Sequence, residues 1–491
     1  MTSTVDTFES VNPATGEPVG RFAIHEADAV RATVERARPA ARWWAGLGFD
    51  GRAERLKAWR ATIANRSAEL AELIHREGGK PVADALIELS ITVEHLHWAP
   101  ANARRVLGRR KVRPGLVVAN VAATLEYQPY GVIGVIGPWN YPVFTPMGSI
   151  VYALAAGNAV VFKPSEYTPA VGAWLVATFA EAVPEQPVLQ LVTGGGPTGA
   201  ALCAAGVDKI AFTGSTATAR KIMAACAQTL TPVLMECGGK DAMIVDSDAD
   251  VDAAATAALW GGMANAGQTC IGIERVYAVD AVYDRFVAAL TAKAGTLRPG
   301  EDRGASYGPA TMPSQLEVIQ RHVDDALARG GRAVVGGADS VRPPYAHPVV
   351  LVDVPEDSLA VREETFGPTL TVTRVADADE AVEKANATAY GLGASVFGKE
   401  RADDIARRVR SGMASINSAL SFAGVAALPF GGVGDSGFGR IHGDDGLREF
   451  ARAKAVTRQR FPMPLDITRF DRRPWTVKGL GLLIRAAYGR R

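Results

Sequence analysis

Cys270 closes the segment Asn265-Ala-Gly-Gln-Thr-Cys270, which follows an apolar helical stretch and a Gly-Gln turn. A cysteine placed there is reachable, whereas Cys203 and Cys226 fall inside apolar helical patterns. A free thiol is only slightly ionised at neutral pH, so an active one needs amide donors or a base close by. The other reading of Cys270 is a small buried hydrophobe. Thirty-four positions upstream, Glu236 ends the apolar run Val233 to Glu236, just ahead of Gly238 and Gly239. Ligands of α/β sheets bind at the carboxyl edge of the strands, so Glu236 is a candidate base there, or else a solvated surface charge. Asn140, in Gly137-Pro-Trp-Asn140, sits at a turn before a helix, where its amide can donate to an oxyanion or simply cap that helix.

Three further segments have the make-up of phosphate-facing strand ends. Val161-Phe-Lys-Pro-Ser-Glu166 ends a strand with a lysine and an acid, Thr193-Gly-Gly-Gly-Pro-Thr-Gly199 is a flexible turn, and Phe212-Thr-Gly-Ser-Thr216 ends a strand and opens a helix. None matches the G-x-G-x-x-G fingerprint after a first strand, and each is also explicable as turn chemistry alone.

The elements that must position these residues alternate along the chain. Glu26 to Ala45, Arg52 to Glu77 and Ala83 to Leu107 place apolar residues at helical spacing, so the first hundred or so residues read as helices. From Tyr130, short β-branched runs alternate with helical stretches: Val132 to Ile136, Ala159 to Phe162, Val188 to Val192, Lys209 to Phe212 and Val233 to Glu236. That pace predicts a parallel, doubly wound sheet. A second α/β series follows, with strands at Ala242 to Val245, Val276 to Val279, Val349 to Val352, Thr369 to Val375 and Ala394 to Phe397, and a helix over Val251 to Ala266. A Gly-rich stretch from Pro429 to Gly439 and a basic tail (Arg469, Arg472, Arg473, Lys478, Arg485, Arg490, Arg491) close the chain.

At 491 residues the chain is long enough for about three structural units. Lys+Arg of 53 against Asp+Glu of 52 is too balanced for a dedicated nucleic-acid binder. Four cysteines without a C-x-x-C pair predict neither a disulfide framework nor a metal site, and a reducing cytoplasm is the simplest location. The first ten residues carry no signal-peptide pattern, and no apolar run approaches the ~20 residues of a membrane span.

Taken together, these segments resemble the aldehyde dehydrogenase superfamily over almost the whole chain. The resemblance rests on Val11-Asn-Pro-Ala-Thr-Gly16, Pro138-Trp-Asn140, Lys163-Pro-Ser-Glu166, Phe212-Thr-Gly-Ser215, Glu236-Cys-Gly-Gly-Lys240, Gly267-Gln-Thr-Cys270, Glu364-Thr-Phe-Gly-Pro368, Pro429-Phe-Gly-Gly432 and Ser436-Gly-Phe-Gly-Arg440, in family order. It implies an α/β subunit with a Rossmann-like NAD-binding domain (residues 1–110 and 130–238), an α/β catalytic domain (239–435) and a small β flap for oligomerisation (111–129 and 451–465). Residues 466–491 would be an extension, packed as an extra helix across the oligomer or lying on an anionic membrane.

By the same resemblance Cys270 is the nucleophile, Glu236 the general base and Asn140 the side-chain half of an oxyanion hole. Lys163 and Glu166 resemble the pair that binds the adenosine ribose, Ser215 a pyrophosphate contact, and Glu364 with Phe366 the grip on the nicotinamide ribose and ring; Trp139, Ser165, Gly196 and Gly214 complete the implied cofactor set. Glu166 would repel a 2′-phosphate, so NAD is expected, with NADP possible through Lys163. Tyr141, Phe144, Thr269, Ile271, Phe422 and Phe430 are expected around a substrate tunnel suited to an uncharged aldehyde. Succinate semialdehyde is the alternative substrate, weakened by Gly148, which stands where such family members commonly carry an arginine. A CoA-acylating enzyme, a cysteine hydrolase and a non-catalytic scaffold are the other readings. A homo-dimer or homo-tetramer is expected.

Overall fold

The computed structural model describes residues 6–462 and 470–489. Residues 1–5, the end of the expected flap (463–465), residues 466–469 and the terminal Arg490 and Arg491 lie outside the described residues, as does Arg469 of the basic tail.

The runs Val132–Ile136 and Ala159–Lys163 are buried along their whole length, which is why they read as continuous apolar strands: helices cover both faces of a parallel sheet. The sheet has six strands in the spatial order Gly437–Phe438, Val233–Glu236, Lys209–Thr213, Val132–Ile136, Ala159–Lys163, Leu189–Leu191. All pairs are parallel except that of Gly437–Phe438 with Val233–Glu236. The strand at Val132–Ile136 and the strand at Lys209–Thr213 are neighbours although two strands separate them in sequence. Their connections leave in opposite directions, which opens a crevice beyond their carboxyl ends. Gly134 lets them approach, since a Cβ there would stand 2.6 Å from Ile210 Cδ1.

The last of these parallel strands, Val233–Glu236, runs through Cys237-Gly-Gly-Lys240 into Asp241–Val245, which lies beside the central strand of a second sheet. That sheet has seven strands in the order Arg332–Val335, Val349–Val352, Thr369–Val375, Ile273–Val279, Asp241–Val245, Ala394–Phe397, Ser415–Ile416, antiparallel only at its first pair. Separate apolar cores underlie the two sheets. A third sheet is built from Arg110–Val112, Val121–Pro129 and Ala451–Gln459, with the long strand in the middle.

Two N-terminal expectations need correction. Thr7–Val11 and Pro18–Ala23 form an antiparallel hairpin ahead of the helices, turned by Asn12, whose side chain accepts from the Ala14 amide, and by Gly16 at φ +76°. The single helix expected over Arg52 to Glu77 is two, Gly48–Asn65 and Ser67–Gly78, divided at Arg66 (φ −108°, ψ 21°). Arg66 departs from the helix to pair with Glu69 and with Glu181 from a distant helix.

Candidate active site

Cys270 stands at the end of a tightly wound loop. Asn265 and Ala266 adopt left-handed φ of 53° and 58°, and Gly267 follows at 71°. At Gly267 a Cβ would fall 2.1 Å from the Gly367 carbonyl oxygen, so only glycine passes. Polar side chains secure the loop. Gln268 Nε2 donates to the Asn265 carbonyl (3.0 Å) while its Oε1 accepts from the Thr311 amide (2.9 Å). Asn265 Nδ2 donates to the Asn140 carbonyl (3.0 Å), and Asn140 Nδ2 returns a bond to the Gln268 carbonyl (2.9 Å). Tyr141 joins the same loop through Thr269 Oγ1 (3.0 Å). The turn after the first parallel strand is thus tied to the thiol loop by three hydrogen bonds at two successive residues, Asn140 and Tyr141.

Beneath Tyr141 lies a buried ion pair that the sequence did not reveal. Lys80 Nζ sits 2.5 Å from Glu88 Oε2 and 3.7 Å from the Tyr141 ring centroid. Glu88 Oε1 accepts from the amides of Val143 and Phe144, each at 2.9 Å, satisfying the start of the Phe144–Ala156 helix.

Cys270 lines two cavities, one on each side. The first, about 970 Å³, is a tunnel walled by Tyr141, Phe144, Thr269, Ile271 and Phe430 from the expected set, and by Ile87, Ile91, Trp260, Leu420 and Ile441, which were not foreseen. Phe422 does not line it. The ring stands behind Phe430, with centroids 6.5 Å apart, and Leu420 and Ala423 take the wall positions. No arginine or lysine is among the described lining residues; Asp84, Glu88 and Glu236 are its ionisable carboxyls. Gly148 is shut off from a side chain, because a Cβ there would meet His442 Nε2 at 2.7 Å and Ile441 Cδ1 at 2.9 Å.

The second cavity, about 780 Å³ and open to solvent, is the crevice between the diverging strands. Pro138, Trp139 and Asn140 line it from one strand end and Thr213, Gly214 and Ser215 from the other, with Gly238, Glu364 and Phe366 opposite. Gln315 and Val318, on the Gln315–Ala328 helix, and Met312 just ahead of it also line the crevice. Ser215 caps the Thr216–Ala227 helix by accepting from the Thr218 amide, so a helix N-terminus faces the crevice. Trp139 and Phe366 meet edge to face at 5.6 Å. Glu364 accepts from the Gly239 amide at 3.0 Å. The buried pair of Lys240 with Glu274 anchors its loop, Glu274 accepting from the amides of Thr365 (2.8 Å) and Phe366 (2.9 Å).

Lys163, Ser165, Glu166 and Gly196 form a separate group beyond the crevice. Lys163 pairs in register with Ile136, just before Gly137 and Pro138. Its Nζ lies 3.8 Å from Glu166 Oε2 and Ser165 Oγ is 3.4 Å from the same oxygen. Gly196 opens the neighbouring Gly196–Ala204 helix.

The ionisable groups near the thiol share one environment. Burial, with Glu364, Asp241 and Glu236 around it, pushes the Cys270 thiol up. Burial likewise holds the Glu236 carboxyl well above the ordinary carboxylate range, and neither of its oxygens has a hydrogen-bond partner among the described residues. Gly431 leaves room for that carboxyl, since a Cβ there would stand 2.7 Å from its Oε1. Glu364 is pushed up to about 8 by burial and by Glu274.

Two wound sheets with a crevice at the strand switch and a thiol at their junction define an α/β fold suited to a dinucleotide. The chain belongs to the aldehyde dehydrogenase family, whose family model matches residues 1–456. It is 35% identical over 477 residues to the 4,4'-diapolycopene aldehyde oxidase of Methylomonas sp, covering 96% of this chain and 89% of that protein. A protein of Sinorhizobium fredii named as a probable succinate-semialdehyde dehydrogenase acting with NADP is 35% identical, over 91% of this chain and 92% of its own. The crystal structure of an NADP-dependent enzyme of E. coli superposes with a TM-score of 0.88 at 32% identity, covering 92% of this chain and 95% of that one. The protein is therefore an aldehyde-oxidising enzyme of this family.

Proposed function

We propose that the enzyme oxidises an apolar, uncharged aldehyde to its carboxylic acid with NAD or NADP, through a covalent adduct on Cys270. The observation that carries this reading is that Cys270 lines both the apolar tunnel and the cofactor crevice. An aldehyde from one side and a hydride acceptor from the other can meet at its thiol.

The crevice fits a dinucleotide. Gly214 and Gly238 leave its floor open, Ser215 sets a helix N-terminus toward it, and Trp139 with Phe366 gives an aromatic wall. Lys163, Ser165, Glu166 and Gly196 would hold the adenosine end, and Glu364 with Phe366 the nicotinamide end. Bound there, NAD(P) supplies the hydride acceptor.

The remaining chemistry belongs to the chain. Cys270 gives up its proton to solvent water, and the sulfur adds to the aldehyde carbon to form a thiohemiacetal. The new oxyanion lies between Asn140 Nδ2 and the Cys270 backbone amide, donors worth about 3 kcal/mol each in such sites. Loss of hydride from that carbon leaves a thioester on Cys270. Glu236 then takes a proton from water, the hydroxide attacks the thioester, and the carboxylic acid departs as the thiol is restored. Because burial raises both Cys270 and Glu236, turnover should climb with pH across the neutral range.

The tunnel lining supports an uncharged substrate. An anionic semialdehyde would find no cation among the described lining residues to receive it, since Lys80 behind Tyr141 is already paired with Glu88. The exposed side chains along Arg452–Gln459, on a strand at the edge of the three-stranded sheet, suit pairing with another copy, giving a dimer or tetramer in the cytoplasm. The test is NAD(P)H formation with apolar, aromatic and acidic aldehydes and both cofactors. Higher kcat/KM for apolar aldehydes, abolished in Cys270→Ala, is expected. A preference for succinate semialdehyde would overturn the substrate assignment, and full activity of Cys270→Ala would overturn the mechanism.

A further inference from the structure

The proposed chemistry makes no use of the C-terminal helix Pro474–Tyr488. Thr476 is its single buried residue, with Leu480 and Leu483 half-buried on the same side. The remaining large apolar side chains point outward: Trp475 is 52% exposed, Val477 61%, Leu482 67%, Ile484 50% and Tyr488 67%. A water-facing helix seldom leaves so much apolar surface uncovered.

The outward side chains are ordered. Residues seven apart lie almost on one line of a helix, about two turns on. Lys478 and Arg485 therefore share a row, Trp475 and Leu482 form a second row on one flank, and Val477 and Ile484, extended by Tyr488, a third on the other. Two cations thus stand between two apolar strips.

Charge is concentrated in the same place. From residue 470 to the last residue the sequence holds six basic residues (Arg472, Arg473, Lys478, Arg485, Arg490, Arg491) against one acid, Asp471, although the whole chain is only +1. The rest of the protein is consequently net negative. We propose that the Pro474–Tyr488 helix is an interfacial docking element that seats the enzyme on an anionic lipid surface.

The physical case is complementarity on both counts. Apolar strips ending in Trp475 and Tyr488 enter the boundary between headgroups and acyl chains, while Lys478 and Arg485 reach lipid phosphates from between them. The helix lies on the bilayer and does not cross it: 15 residues is about 22 Å, and no described helix is long and apolar enough to span. A second copy of the same helix across a two-fold axis is the poorer partner, because it would set the Lys478 and Arg485 row against its own like charges.

The experiment is flotation of the full-length enzyme with vesicles of phosphatidylcholine alone or of phosphatidylcholine with phosphatidylglycerol, read together with the mass in solution by analytical ultracentrifugation. Binding to the anionic vesicles only, weakened by salt, is expected. Lys478→Gln with Arg485→Gln should weaken partition roughly thirtyfold, given a loss of about five- to sixfold for each cation. Trp475→Ser with Leu482→Ser should abolish it. Both double variants should keep wild-type turnover of a short water-soluble aldehyde and an unchanged oligomeric mass. No flotation of the wild type, or flotation equal on neutral vesicles and untouched by the cation substitutions, would overturn the proposal. So would a change of oligomeric mass in the Trp475→Ser, Leu482→Ser variant, which would make the helix a contact between copies of the chain.

Discussion

Asn140 Nδ2 donates to the carbonyl oxygen of Gln268 at 2.9 Å, so the amide that would hold an oxyanion is fastened to the loop that ends in Cys270. One contact thus holds the proposed donor beside the loop of the proposed nucleophile. Asn140→Ala should lower kcat by about 10²- to 10³-fold, the usual loss for one oxyanion donor, with a smaller change in KM. Steady-state kinetics on an apolar aldehyde measures it.

The Lys80–Glu88 pair acts on the same turn from below. Its members are both buried, and Glu88 spends its other oxygen on the amides of Val143 and Phe144. Lys80→Met strands a buried carboxylate and should cost about 3–5 kcal/mol in urea unfolding. Replacing both residues by methionine should recover part of that loss, since no unpaired charge remains.

Gly148 tests why a cationic side chain cannot enter from that helix. Gly148→Ala should destabilise the protein by about 1–3 kcal/mol through contact with His442 and Ile441. Combined with His442→Ala, the penalty should fall, because the imidazole is what the new methyl meets. Denaturant unfolding of the two single variants and the double variant gives the coupling.

Glu364 makes a pH prediction. Its carboxyl is pushed from 4.5 up to about 8 in the folded protein. Between those values the folded protein keeps a proton that the unfolded chain has released, so this group's contribution to stability falls as pH rises through the window. Glu364→Gln should remove that component, so the stability difference between wild type and variant should shift against wild type from about pH 5 to about pH 9. Glu236 and Asp241, also raised by burial, remain in both proteins and cancel.

The strands that carry the site were legible because both of their faces are covered. Val132–Ile136, Val233–Glu236, Val349–Val352, Thr369–Val375 and Ala394–Phe397 have the bounds their apolar runs predict. The N-terminal hairpin was not legible, since its strands are half-exposed and carry no sustained apolar alternation. The break at Arg66 depends on Glu181, more than a hundred residues away. In the site itself, Cys270, Glu236 and Asn140 announce themselves by their places at turns and strand ends. Gln315 and Met312 reach the crevice, and Trp260 the tunnel, only through tertiary packing. Leu420 and Ala423 take the wall position expected of Phe422 for the same reason: depth in a wall is a property of the folded chain.

In the proposed reaction the aldehyde carbon is bonded to Cys270 Sγ before water reaches it. Glu236→Gln should form this bond and then stall, because the group that activates water is gone. Intact-mass spectrometry of Glu236→Gln mixed with an apolar aldehyde and NAD(P) should show one acyl group per chain, located on Cys270 and missing in the Cys270→Ala, Glu236→Gln double variant. Reduced cofactor accumulating without any adduct on Cys270 would contradict the account.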